Sequence, residues 1–150
     1  MRFEDFAKTQ IEVVAALRQM SQAATADSSG KQGIEKDLVE LLKIRISQIN
    51  GCAFCLQYHL GLARGLGVAE RKLGLLAAWR DAGIFSERET AALGYAERLT
   101  LLGHSSLGAA DRLEPGNPFF AVEIEQLTIA IATINAWNRL AAALGFAPPG

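Results

Sequence analysis

Apolar residues recur in this chain at the spacing of one helical face after another, and nowhere at the strict alternation of a strand. Asp5 to Ala24 carries Phe6, Ile11, Val14, Ala15 and Leu17 in a rough helical register. A second helix is predicted over Ile34–Asn50, ended by Asn50-Gly51, and a third over Cys52–Leu66, closed by Gly65 and Gly67. A fourth covers Ala69–Asp81 and stops near Gly83. Ser86 followed by Glu89 reads as a capping box opening a fifth helix that runs to about Leu102. Phe120–Leu144 makes a long final helix before the tail Ala147-Pro148-Pro149-Gly150. Between these lie loops: Asp27–Gly33 by its polar and glycine content, and Gly103–Pro118 with Gly108, Pro115 and Gly116, where one short helical turn fits. The expectation is an all-α chain with no sheet.

The 150 residues fit one domain, at a size where roughly 70% of the unfolded chain's surface can be buried. The formal charge is −1 with acids and bases interspersed, so the basic patch that nucleic acid requires is missing. Residues 1–20 carry Arg2, Glu4, Asp5, Lys8, Glu12 and Arg18, unlike a secretory leader. The longest apolar run, Leu127–Ile134, holds two threonines and is too short to span a bilayer, so a buried core helix is expected. A cytoplasmic protein with no membrane partner is the corresponding expectation.

The sequence holds two cysteines, three residues apart. A lone C-x-x-C in such a chain points to redox or metal chemistry rather than to a disulfide framework. On a helix beginning by Cys52, Cys55 falls at about 300° and His59 at about 340° from it. All three share one stripe with Leu56, Leu62, Ala63 and Leu66, the side expected to face the core, while Gln57, Gly61 and Arg64 lie opposite. The thiolate is the reactive form of cysteine, and a helix N-terminus favours it. His59, four residues beyond Cys55, is placed to accept the thiol proton. Attack of Cys55 on a peroxide O–O bond would give a sulfenic acid, which Cys52 would condense into a disulfide.

Other readings compete. Cysteines often pack as inert apolar residues, but the His in phase behind the pair favours function. Cys52, Cys55 and His59 would supply three zinc ligands where a structural site wants four, and His104 sits in the irregular loop at arbitrary spacing. Leu56 stands where haem attachment demands His, and a thioredoxin-like setting needs strands. No cofactor is expected.

The stretch from Glu40 through Gly51-Cys52-Ala53-Phe54-Cys55 to His59 resembles the core motif of the AhpD-like alkylhydroperoxidases, in the carboxymuconolactone decarboxylase superfamily. That motif is a Glu, eleven residues, then C-x-x-C-x-x-x-H. Ala77-Ala78-Trp79-Arg80 and Ile131–Arg139 are similar to the family as well, and the likeness spans about residues 35–145. The resemblance implies a single AhpD-like helical domain over 1–150, with its core at about 35–145 and an N-terminal helix and loop over 1–33, that assembles into homo-oligomers. It implies Cys55 as the peroxidatic and Cys52 as the resolving cysteine. Glu40 and His59 would form a proton relay through water, and a lipoyl-bearing or thioredoxin-like donor would re-reduce the disulfide. The chain departs from some family hydroperoxidases in having Phe54 where they carry a second His. The decarboxylase branch lacks the cysteine pair, so having both cysteines argues against γ-carboxymuconolactone decarboxylation.

The function expected is therefore a thiol-dependent peroxidase acting on organic hydroperoxides. The alternatives are a disulfide exchanger or redox sensor, and a non-catalytic oligomeric helical module. Periodicity alone would make Glu40 a solvated carboxylate; the motif makes it part of the relay. Arg45 lies within an apolar arc and is expected to find an acidic partner. Tyr58, Asn135, Trp137 and Asn138 are candidates for pocket, core or interface, and Asn135 needs a hydrogen-bond partner on its apolar helix. The broad apolar faces of the second and last helices exceed what one small bundle would cover, which favours an oligomer.

Overall fold

The computed structural model describes residues 1–25, 33–104, 106–108, 112–113 and 116–150. The loop expected over Asp27–Gly33 thus lies outside the described residues except for Gly33. The described part of Gly103–Pro118 is turn, bend and irregular chain. All regular structure among the described residues is helical, as expected.

The N-terminal helix is interrupted. α1 (Phe3–Thr9) and α2 (Ile11–Thr25) meet at Gln10, whose backbone leaves the helical region at φ −122°, ψ 46°. The break turns Phe6 of α1 and Val14 and Ala24 of α2 into the common core. Next comes α3 (Lys36–Asn50), ended by Gly51 in the left-handed conformation at φ 67°, where glycine carries no Cβ penalty. α4 (Ala53–Gly65) follows at once.

The predicted fourth helix is three pieces: α5 (Glu70–Leu75), a 3₁₀ turn over Leu76–Ala78, and α6 (Trp79–Ala82). The tighter turn stacks side chains three residues apart. Leu73, Leu76 and Trp79, which follow that spacing, are all buried. α7 (Glu87–Thr100) opens on the expected box: the Glu89 N–H donates to Ser86 Oγ at 3.2 Å, and the Ser86 N–H to Glu89 Oε2 at 2.8 Å. α8 (Ala121–Leu144) ends the bundle.

α3 is the centre. It packs against α4, α7 and α8, while α8 also receives α2. Leu38, Val39, Leu41, Leu42, Ile44 and Ile46 are buried, so α3 is covered nearly all round within one chain. Each such side chain contributes about 1.5–3 kcal/mol on removal from water. α8 is long and apolar enough to cross a membrane by length and composition, yet Leu127, Ala130, Ile131, Ile134 and Ala141 are buried inside the bundle.

Most polar groups inside are matched, Gln126 Oε1 being the exception among the described residues. Arg45 Nε donates to Glu97 Oε1 at 2.8 Å, the ion pair its position demanded. Glu97 also accepts from Trp79 Nε1 at 2.8 Å and from Arg80. Burial alone would raise the Glu97 pKa, but the hydrogen bonds from Trp79, Arg80 and Arg45 outweigh it and hold the carboxyl below its ordinary range. Arg88 joins three helix starts, bonding Glu35 at 2.9 Å, Glu123 at 3.0 Å and the Pro118 carbonyl at 2.6 Å. Asn135 donates to Thr100 Oγ1 at 3.1 Å and accepts from Asn50 Nδ2 at 3.0 Å. Asn50 Nδ2 also reaches Asn138 Oδ1 at 2.9 Å, and Asn138 Nδ2 donates to Ser47 Oγ at 3.1 Å. This ladder pins the end of α3, and with it the turn that carries Cys52, onto α8.

Candidate active site

Gly51 lets α3 end abruptly, and the chain enters α4 one residue later. Cys52 is the N-cap of α4, in extended conformation at φ −88°, ψ 95°. Its N–H donates back to the Ser47 carbonyl at 3.0 Å, and its Sγ accepts the Cys55 N–H at 3.2 Å. Cys52 and Cys55 are joined by a disulfide, with Cα atoms 5.4 Å apart, well within the usual span. Both are buried.

One turn on, His59 is buried with Nδ1 at 2.7 Å from Glu40 Oε2 of α3. Because a carboxylate accepts in such a contact, the proton sits on Nδ1 and Nε2 is left as the ring's basic nitrogen. Glu40 is itself buried, and its other oxygen lies 3.5 Å from Lys43 Nζ. Lys43 donates to Ser21 Oγ of α2 at 3.3 Å. The site is thus a chain of paired groups, Ser21–Lys43–Glu40–His59, running from α2 through α3 to α4.

A cavity of about 480 Å³ opens beside it. Cys55 and His59 are among its lining residues; Cys52 and Glu40, both buried, are not. Tyr58 and Trp137 line the cavity too, whereas Asn135 and Asn138 belong to the ladder under the α3–α4 turn. α1 and α2 supply Phe3, Arg18, Ser21, Gln22 and Thr25 to the same lining.

The stripe expected to face the core is only partly covered. Cys52, Cys55, His59 and Ala63 are buried, but Leu62 and Leu66 are exposed. Leu62 borders the cavity rather than a helix, and Leu66 is already the C-cap. Phe54 stacks into an aromatic cluster, 5.4 Å from Phe3 and 5.5 Å from Phe146 between ring centroids. His104 is in an exposed turn, and among the described residues no three His, Cys, Asp or Glu side chains group to hold a metal ion.

Lys43 and the α1–α2 wall are the parts that sequence reasoning missed. Lys43 had a signal, an ammonium one helical turn from Glu40 on a helix that is otherwise largely apolar. The α1–α2 residues had none, because periodicity gives the face of a helix but not what it covers.

The fold thus sets a disulfide pair at the first turn of α4, beside His59 of the same helix and Glu40 of the preceding one. Residues 11–98 match the carboxymuconolactone decarboxylase family. The uncharacterized protein YdfG of Bacillus subtilis (strain 168) is 34% identical over 115 residues, covering 77% of this chain and 78% of that one. A protein of unknown function from Agrobacterium tumefaciens, described as a candidate antioxidant defence protein AhpD, superposes with a TM-score of 0.85 at 30% identity. That match covers 97% of this chain and 96% of the other. An uncharacterized peroxidase-related protein with an AhpD core from Ralstonia eutropha JMP134 shares the fold at a TM-score of 0.80 and 18% identity, over 96% of this chain and 74% of that one. The chain belongs to the carboxymuconolactone decarboxylase family, and its fold is the AhpD-like helical fold.

Proposed function

We propose that the protein is a thiol-dependent peroxidase that reduces organic hydroperoxides, with Cys55 as the attacking thiol. The observation that carries this reading is the division of the pair: Cys55 lines the cavity together with His59, while its buried disulfide partner Cys52 does not. A substrate entering the cavity meets Cys55 first.

In the dithiol form, the His59 Nε2 side takes the Cys55 proton through water, and Glu40 on Nδ1 stabilises the imidazolium that results. The Cys55 thiolate attacks the outer oxygen of ROOH. The O–O bond breaks, the sulfur becomes a sulfenic acid, and the alkoxide takes a proton from His59 to leave as ROH. Cys52 then attacks the Cys55 sulfur. The S–O bond breaks, water leaves, and the disulfide forms. Two electrons return from an external dithiol, of the lipoyl-bearing or thioredoxin-like kind, by thiol–disulfide exchange.

The test is the rate at which the reduced protein loses its thiols to cumene hydroperoxide, against Cys55→Ser and free cysteine. The expected result is loss of both thiols per chain, far faster than free cysteine, and abolished in the variant. In Cys52→Ser the reaction should stop at a sulfenic acid that dimedone traps. A rate no greater than that of free cysteine sinks the peroxidase reading, and rapid exchange with a protein dithiol in the same sample would then make the pair a disulfide exchanger.

A further inference from the structure

The cavity at Cys55 has two kinds of wall. Phe3, Phe54, Leu62, Ile134 and Trp137 make it apolar, and Arg18 and Lys43 add positive charge, with no Asp or Glu among the described lining residues. The two cations differ. Lys43 is buried, faces Glu40 at 3.5 Å and donates to Ser21, so its charge is matched within the fold. Arg18 is exposed at the cavity's edge, its guanidinium carbon 5.7 Å from the centre of the Phe3 ring. Among the described residues no carboxylate is paired with it. The excess charge of the cavity is therefore a guanidinium seated beside aromatic surface.

We propose that the preferred hydroperoxide carries a carboxylate on an apolar chain or ring, and that Arg18 is the specificity-determining residue that holds the carboxylate. This rests on the peroxidase reading above. The planar guanidinium matches a carboxylate through two parallel N–H donors. The neighbouring Phe3 ring excludes water from one side of that pair and strengthens it. Phe3, Phe54 and Trp137 take the apolar body, which leaves the peroxide group to meet Cys55. A neutral ester of the same molecule keeps the apolar contacts and loses the ionic one.

The experiment compares linoleic acid hydroperoxide with its methyl ester, below their micelle concentrations, as oxidants of the reduced protein and of Arg18→Gln and Arg18→Lys. The acid should react about fivefold faster than the ester, the size of a partly exposed ion pair. That ratio should fall towards one in Arg18→Gln, be kept only in part in Arg18→Lys, which retains the charge without the paired donors, and shrink as salt is added. A ratio near one in the unaltered protein, or one that Arg18→Gln leaves in place, overturns the proposal. Calorimetric binding of the corresponding hydroxy acid and its ester to the disulfide form separates the two readings. If no hydroperoxide oxidises the thiols but the hydroxy acid binds about fivefold tighter than its ester through Arg18, the peroxidase reading falls and the anion site stands. If the thiols react with acid and ester alike and the hydroxy acid shows no preference, the anion site falls alone.

Discussion

His59 carries its proton where Glu40 dictates, and this decides what removing either residue does. His59→Asn should slow Cys55 oxidation by about 10²-fold, the ordinary worth of a positioned base. The check is the second-order rate of thiol loss to cumene hydroperoxide, measured on a variant whose circular dichroism matches that of the unaltered protein. Glu40→Gln has a second effect, because Lys43 loses the carboxylate that faces it at 3.5 Å while staying buried. A stranded buried cation costs about 3–5 kcal/mol, so Glu40→Gln should unfold at markedly lower denaturant concentration, and Glu40→Gln with Lys43→Met should recover part of that loss. None of this followed from helical periodicity, which set Glu40 in solvent. A single helix reports which side a residue occupies, and the identity of the neighbour comes from α4, at the far side of the Gly51 turn. The resemblance of the stretch from Glu40 to His59 to the family motif implied that pairing, while the phase of His59 behind Cys55 set only the imidazole on the stripe of the thiols.

Elements were legible where local chemistry fixes them. The Ser86–Glu89 box is a short-range device and stands where its sequence put it. Ser86→Ala should cost about 1 kcal/mol, read as a shifted denaturant midpoint with unchanged slope. The breaks at Gln10 and over Leu76–Ala78 were not legible. Neither has a proline, and both arise because the chain bends to bring Phe6, or Leu76 and Trp79, onto a shared core. Glu97 ties α3, α6 and α7 together through Arg45, Trp79 and Arg80. Its folded pKa is lowered, so the stability it contributes is present above the ordinary glutamate value of 4.5 and is lost as pH falls through the folded value. At neutral pH Glu97→Gln should be less stable by about 3–5 kcal/mol. Acid should narrow that gap, because the unaltered protein loses stability below pH 4.5 that the variant never had. Parallel melts at neutral and acid pH check this.

At the scale of the whole molecule, the broad apolar face of the second helix is covered within the chain. The second helix does not need a partner chain, since α3 is covered by α4, α7 and α8 of the same chain. The apolar surface that is exposed lies elsewhere, at Ile11, Val13 and Met20 of α2, Leu62 and Leu66 near the end of α4, and Val122 and Ile129 of α8. We expect this surface to be covered by further copies of the chain, giving a sedimenting mass that is a multiple of 16.1 kDa. A protein that sediments at 16.1 kDa across the micromolar range would rule that out. The cavity itself joins two stretches of chain with different duties. The cysteine pair sits at the α3–α4 turn, while Phe3 and Arg18 of the lining belong to the first 25 residues. On the proposed reading, the Arg18 anion contact and the sulfur pair lie on different stretches of chain, while Phe54 of α4 and Trp137 of α8 line the cavity between them. Exchanging α1 and α2 for those of another family member, with Phe6, Val14 and Ala24 kept to seal the core, should yield chimeras that share one redox centre and differ in what they accept.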